Sequence, residues 1–138
     1  MPSSSSAAAQ AGTASSDQPQ MIDISKIRDN LGDEALVTST LKSFLSHAPK
    51  TLKSMRTAYE SSNFIKLRRD AHSLKGACSY VASDCLKASS LRLQLAAEAA
   101  ERGEESDPSV EVCVQRVMSD LSLVCAAIEK ELAALSIS

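Results

Sequence analysis

A histidine followed by a lysine three residues later and a glycine four residues later is the arrangement in this chain best suited to chemistry. Residues 71–76 read Ala-His-Ser-Leu-Lys-Gly. Apolar residues recur around them at alternating spacings of three and four, which is typical of one buried face of a helix. They are Phe64, Leu67, Ala71, Leu74, Cys78 and Val81. His72 lies one residue off this face, so we expect it at the boundary between core and solvent.

The types of these residues indicate a group that accepts something small and anionic. A neutral imidazole has a ring nitrogen with a free lone pair, so His72 can act as a nucleophile without a separate base. The product would carry negative charge in mid-helix, remote from the positive helix end, and Lys75 one turn away would compensate it. Gly76 costs about 1 kcal/mol relative to alanine inside a helix, and we interpret it as clearance for the accepted group and for the partner that delivers it. The alternative is that His72 is a structural residue.

The motif at residues 72–76, His-Ser-Leu-Lys-Gly, resembles that of histidine-containing phosphotransfer (HPt) domains, the relay modules of multistep two-component signalling. Residues 44–49 (Phe-Leu-Ser-His-Ala-Pro) resemble a stretch found upstream in that family, and Leu86, Leu91 and Leu93 resemble its next helix. The resemblance covers roughly residues 22–136. It departs at two positions, where the family usually has a serine and a second glycine and this chain has Cys78 and Ala82.

The resemblance implies a phosphorelay intermediate that is not itself a kinase. His72 would accept a phosphoryl group from a receiver-domain aspartyl phosphate and pass it to an Asp of a response regulator. The implied partners are receiver domains of hybrid histidine kinases and of response regulators. The chain would bind no cofactor, and Mg²⁺ would lie in the partner receiver domain.

Further site residues follow from the resemblance and from spacing on the helices. In some members of the family a Gln or Lys near position 94 hydrogen-bonds the imidazole or the phosphoryl oxygens, so Gln94 is a candidate, with a solvated helix residue as the alternative. Ser79, two turns from His72, is a candidate to orient the other ring nitrogen. Arg68 and Arg69, neighbours of His72 on the helix surface, are predicted to dock the partner rather than to bind phosphate.

Composition favours one all-α domain. The chain has 138 residues, four aromatic residues, no Trp, four glycines and four prolines, which are too few turn residues for an all-β protein. No apolar run reaches the length of a membrane span, so we expect a cytoplasmic protein, with the nucleus as a second location. The four cysteines contain no Cys-x-x-Cys pair, so we predict reduced thiols and no metal site.

Charge is divided unevenly along the chain. Residues 42–92 hold ten Lys or Arg against three acidic residues, whereas residues 93–138 hold three against nine. No aromatic-basic recognition motif accompanies the basic half, which argues against a nucleic-acid partner. An acidic protein partner fits better, and the alternative is a set of solvated helix faces. The predicted docking surface combines exposed apolar residues of the first helix and of residues 34–47 with a basic rim. The candidates are Ile24, Ile27 and Leu31 where they are not buried, and Lys42, Arg68, Arg69 and Lys87.

The order of elements predicts an antiparallel four-helix bundle with a short additional N-terminal helix, and we expect a monomer. Residues 1–20 are rich in Ser and Ala and are predicted to be a disordered tail; residues 21–138 form the domain. Helices are expected at about 22–31, 34–61, 63–80 and 84–102, with a last one starting at Asp107-Pro108. Asp23 is the candidate N-cap of the first helix and Gly32 its C-terminal stop, and the fourth helix begins after Ser83 or Asp84. Pro49 should kink or split the second helix.

Two other functions remain open from the sequence. The first is a non-phosphorylated helical-bundle adaptor, a pseudo-HPt that binds receiver domains, which the substitutions at Cys78 and Ala82 favour. The second is a metal-binding four-helix bundle, which needs Glu-x-x-His pairs that the sequence does not contain.

Overall fold

A computed structural model describes residues 21–137 of the chain, and the predicted N-terminal tail lies outside the described residues. The described part consists of five helices and contains no strand, which confirms the all-α class. The helices are α1 (Ile24–Leu31), α2 (Glu34–Glu60), α3 (Phe64–Ala77), α4 (Asp84–Glu101) and α5 (Val110–Ile137).

The ends of the shorter helices follow the predicted capping residues. The side chain of Asp23 accepts a hydrogen bond from the Lys26 backbone N–H at 3.2 Å and caps α1. Gly32 ends the same helix with a φ of 71°, the left-handed conformation that glycine adopts without steric cost. Ser83 caps α4 by accepting from the Leu86 N–H. The predicted ends at Asp23 and Gly32 are confirmed, and α4 begins after Ser83, one of its two predicted starts.

The second helix is continuous through Pro49, so the predicted alternative of two separate helices is wrong. Proline removes a backbone donor, which costs about 3 kcal/mol in a helix interior. Buried residues precede and follow it, with Leu41 and Ala48 on one side and Met55 on the other. Their packing keeps the backbone helical on both sides of the proline.

The histidine-bearing helix α3 ends three residues earlier than predicted. It ends at Ala77, and a turn over residues 78–82 leads to α4. Ala82 has a φ of 48° in this turn, in the left-handed region that favours glycine. The resemblance places a glycine at this position in the HPt family, and this backbone conformation gives the physical reason.

The start of α5 differs from the prediction that Asp107 caps the helix and Pro108 is its first residue. The helix begins at Val110, and the Val112 N–H donates to the Ser109 hydroxyl at 3.3 Å. The Cys113 N–H donates to the Ser109 carbonyl at 3.0 Å, which is the first bond of the helical ladder. Ser109 therefore caps α5, and the predicted start is wrong by two residues.

The four longer helices pack in cyclic order, α2 on α3, α3 on α4, α4 on α5 and α5 on α2, and α1 packs on α2. Their buried faces form one core of aliphatic side chains. The largest fully buried residues are Ile27, Leu41, Met55, Leu67, Leu86, Leu93, Leu121, Ile128, Val37, Val81, Val117 and Val124. Among the described helices, none is both long and apolar enough to cross a membrane.

Candidate functional site

His72 lies on the exposed surface of α3, beside α4. Its neighbours Ala71 and Leu74 are buried in the core and fix the orientation of the helix, so the histidine is held at the edge of the core. The imidazole Nδ1 lies 3.2 Å from Oε1 of Gln94 on α4. The structure thus brings together two residues that are 22 positions apart and that the sequence predicted as site residues.

Gln94 has a second partner on its own helix. Its Nε2 donates a hydrogen bond to Oε2 of Glu98 at 3.3 Å, one turn further along α4. Both Gln94 and Glu98 are half-buried. Sequence reasoning missed Glu98, although the spacing of four between Gln94 and Glu98 places them on one helix face and was the available signal.

Lys75 and Gly76 follow His72 by one turn on α3. Lys75 is half-buried and makes no hydrogen bond or ion pair within the described part of the chain. Gly76 is exposed, and a Cβ added to it would meet no heavy atom within 4 Å. Nothing in the described fold therefore requires a glycine at position 76, and the space beside His72 is open to another molecule.

The two arginines before His72 differ in their environments. Arg68 Nε donates to Glu101 Oε2 at 2.8 Å, and this hydrogen bond and the charge of Glu101 raise the pKa of Arg68. Arg69 is exposed and forms no ion pair with any residue that the structure describes. Of the two predicted docking residues, Arg69 is the one whose charge has no ion-pair partner among residues 21–137.

Ser79 forms no described hydrogen bond to His72, which a residue that orients the other ring nitrogen would need. It lies beyond the end of α3, and its backbone N–H donates to the Gly76 carbonyl at 3.2 Å. No hydrogen bond joins its hydroxyl to His72 among the described contacts. The ring nitrogen that has a partner faces Gln94 instead.

The apolar part of the predicted docking surface belongs largely to the core. Ile27 is 1% exposed, and Ile24 and Leu31 are half-buried against the core cluster. The two basic residues Lys42 and Lys87 are exposed, as the basic rim requires.

Other large apolar side chains are exposed on the helices that carry the site. Ile65 is 51% exposed and lies two turns before His72 on α3, while Leu91 and Leu95 are 40% and 53% exposed and flank Gln94 on α4. An apolar surface beside His72 is therefore provided by α3 and α4. This surface could not be predicted from apolar spacing alone, because the spacing does not show which leucines of a helix face solvent.

The four cysteines are free thiols. Cys78 and Cys113 are buried, and Cys85 and Cys125 are half-buried. Burial raises the pKa of Cys78 to about 12, so its thiol stays protonated at neutral pH. Among the described residues no group of three or more His, Cys, Asp or Glu side chains is arranged to hold a metal ion.

Comparisons with known proteins agree with the resemblance found in the sequence. The family model of the Hpt domain matches residues 39–137. The crystal structure of histidine-containing phosphotransfer protein B from Pseudomonas aeruginosa is similar in fold, with a TM-score of 0.69 and 21% sequence identity. That match covers 85% of this chain and 98% of the other. No curated protein matches the chain. The chain belongs to the Hpt domain family, whose members transfer phosphoryl groups in two-component phosphorelays and are intermediates rather than kinases.

Proposed function

We propose that His72 accepts a phosphoryl group from the aspartyl phosphate of one receiver domain and passes it to an aspartate of another. The observation that carries this proposal is the hydrogen-bond arrangement of an exposed imidazole. Nδ1 lies 3.2 Å from the Gln94 amide oxygen. An amide oxygen can accept a hydrogen bond but cannot donate one, so this hydrogen bond requires the proton on Nδ1. Nε2 then keeps its lone pair and has no hydrogen-bond partner among the described residues.

The transfer balances without an additional base. The Nε2 lone pair forms the bond to phosphorus while the bond from phosphorus to the receiver's aspartate oxygen breaks, and that electron pair leaves with the carboxylate. Nε2 has no proton to lose, because the ring proton is on Nδ1. The phosphorylated ring gains positive charge, which strengthens the hydrogen bond that Nδ1–H donates to Gln94. Attack by the aspartate of a second receiver reverses these steps.

Lys75 and Gly76 have separate roles in this proposal. The ammonium group of Lys75, which has no partner in the described part of the chain, balances the charge of the arriving phosphoryl group. Gly76 leaves the surface one turn beyond His72 free of a side chain. The partner receiver domain holds Mg²⁺, and this chain supplies the nucleophile.

The proposed partner and arrangement have further support. The excess of basic residues over positions 42–92 favours a partner with an acidic surface, such as a receiver domain.

We also propose that the bundle is antiparallel. Arg68 contacts Glu101 and His72 contacts Gln94, so the position on α4 decreases as the position on α3 increases. The chain acts as a monomer in the cytoplasm or the nucleus, and residues 21–138 form its domain.

The alternative of a non-phosphorylated adaptor depends on the substitutions at Cys78 and Ala82. Cys78 is buried in the core, and Ala82 lies in the turn after α3. No described hydrogen bond joins either residue to His72. These substitutions therefore concern packing and turn conformation, and they do not argue against His72 as the acceptor.

The test is a two-step transfer. A receiver domain carrying a radiolabelled aspartyl phosphate is mixed with the chain, and a second, unlabelled receiver is added later. We expect the label to move to the chain and then to the second receiver. A chain that binds both receivers without acquiring label would be the adaptor.

A further inference from the structure

We infer that Glu98 is a positioning residue for His72, acting through the side-chain amide of Gln94 to fix which ring nitrogen carries the proton. This inference rests on the proposed role of His72 as phosphoryl acceptor. Its basis is the continuous chain of contacts from the imidazole Nδ1 to Gln94 Oε1 at 3.2 Å and from Gln94 Nε2 to Glu98 Oε2 at 3.3 Å.

The chemistry of the three groups permits one arrangement of protons. An ionised carboxylate only accepts hydrogen bonds, so Glu98 must face the NH₂ group of the Gln94 amide. The amide oxygen of Gln94 then faces His72, and an oxygen in that position requires a donor. Nδ1 of His72 is therefore the N–H, and Nε2 is the nitrogen with the lone pair.

Without Glu98, the orientation of the amide would not be determined. Gln94 could then present either its oxygen or its NH₂ group to Nδ1. The second orientation stabilises the tautomer with the proton on Nε2, in which the nitrogen proposed to attack phosphorus has no lone pair. A carboxylate two contacts away from the reacting atom thus selects the reactive form of the histidine.

Two arginines are near enough to attract the carboxylate of Glu98. The side chain is half-buried on the face of α4 that packs on α3. Glu101 is the main cause of the raised pKa of Arg68, and Glu104 is the main cause of the raised pKa of Arg102. The negative charge of Glu98 raises both pKa values further. Two guanidinium groups are therefore close enough to attract the Glu98 carboxylate while it accepts from Gln94.

The first test reads the tautomer directly and needs no phosphoryl group. Long-range ¹H–¹⁵N NMR spectra of the full chain, at about pH 8.5 where an ordinary imidazole is neutral, report which nitrogen of His72 carries the proton. We expect Nδ1–H in the wild type. Glu98→Lys replaces an acceptor by a donor, so the amide should reverse and the tautomer should change to Nε2–H. Glu98→Gln keeps an acceptor oxygen and should largely retain Nδ1–H.

Two further variants keep this test decisive. Lysine at position 98 would lie near Arg68 and Arg102, and if Glu98→Lys does not fold, Glu98→Leu removes the acceptor without adding a positive charge. That variant should give a mixture of tautomers. Glu105→Lys changes the charge by the same amount at an exposed position outside the helices and should leave the tautomer unchanged. An unaltered Nδ1–H signal in folded Glu98→Leu would overturn the inference.

The second test is a double-mutant cycle on transfer from a phosphorylated receiver domain. Glu98→Leu should slow transfer to His72 by about fivefold, the change that corresponds to one net hydrogen bond. In a Gln94→Leu background the same substitution should have no further effect, since Glu98 acts through Gln94. Equal effects in both backgrounds would mean that Glu98 does not act through Gln94. A wild type that accepts no phosphoryl group would contradict the proposed function, while the tautomer results would still stand.

Discussion

The Arg68 guanidinium lies 2.8 Å from the Glu101 carboxylate, and this pair joins α3 to α4 next to the His72–Gln94 contact. The side chains of Arg68 and Glu101 are 33% and 22% exposed, so the pair is partly shielded from solvent. Arg69, the next residue, is exposed and unpaired within the described part of the chain. The two adjacent arginines are therefore expected to respond differently to substitution.

Reversing the charge of Arg69 tests electrostatic docking. We expect Arg69→Glu to weaken receiver binding by roughly three- to tenfold at low salt, mainly through a slower association rate, with no loss of stability. Arg68→Glu should in addition lower the free energy of unfolding, because it places a like charge against Glu101. Stopped-flow binding at several salt concentrations and thermal unfolding measure the two effects.

The matched control is Lys130→Glu, the same change at an exposed position of α5 in the acidic half of the chain. It should leave the association rate close to that of the wild type. Equal effects of Lys130→Glu and Arg69→Glu would mean that net charge governs binding, without a specific basic surface beside His72.

Lys75→Ala tests the proposed compensation of the phosphoryl charge. We expect the phosphohistidine to form more slowly or to hydrolyse faster by about tenfold, which corresponds to about 1.4 kcal/mol. Stability should change little, because Lys75 makes no described ion pair. Lys75→Arg keeps the positive charge and should recover part of the lifetime. An unchanged lifetime in Lys75→Ala would remove Lys75 from the site.

Gly76→Ala should change stability and transfer in opposite directions. An added Cβ meets no heavy atom within 4 Å, so the substitution should raise the free energy of unfolding by about 1 kcal/mol through helix propensity alone. Transfer from a receiver should slow, and Gly76→Leu should slow it further. A more stable protein with undiminished transfer would show that the space beside His72 is not used by the partner.

Ala82 presents the converse case, a position that favours glycine but does not have one. Its φ of 48° costs about 1–2 kcal/mol for a residue with a Cβ, partly offset by the greater chain entropy of glycine. Ala82→Gly should therefore stabilise the protein by about 0.5–1 kcal/mol in urea unfolding. Ala88→Gly, at an exposed position within α4, should instead destabilise it by about 1 kcal/mol, and a loss of stability in both variants would contradict this account of the turn.

The helices could be predicted from the sequence where local signals determine them. Apolar spacing indicated the helix around His72, Asp23 and Gly32 marked the ends of α1, and Ser83 was one of two predicted starts of α4. The continuity of α2 through Pro49 could not be predicted, because it depends on packing by residues on both sides. The start of α5 was misassigned because Asp107 and Ser109 are both good capping residues, and only the backbone decides between them.

The residues of the site also differ in how far the sequence predicts them. Spacing within one helix placed Lys75 and Gly76 beside His72, and the family resemblance supplied Gln94. The partners that lie across the α3–α4 contact were harder to predict. The Arg68–Glu101 pair joins residues 33 positions apart, and Glu98 reaches His72 only through Gln94. Such contacts depend on the relative position of two helices, which a single sequence does not specify.

The most direct measurement is mass mapping of the chain after incubation with a phosphorylated receiver domain, for the wild type, His72→Gln and His47→Gln. His47 is the matched control, because it is the other histidine of the chain and is exposed on α2, where its Nδ1 bonds the Ser43 carbonyl at 2.8 Å. The account predicts one phosphoryl group on His72 in the wild type and in His47→Gln, and none in His72→Gln, which should keep its helical circular dichroism signal. Phosphorylation that persists in folded His72→Gln would contradict it.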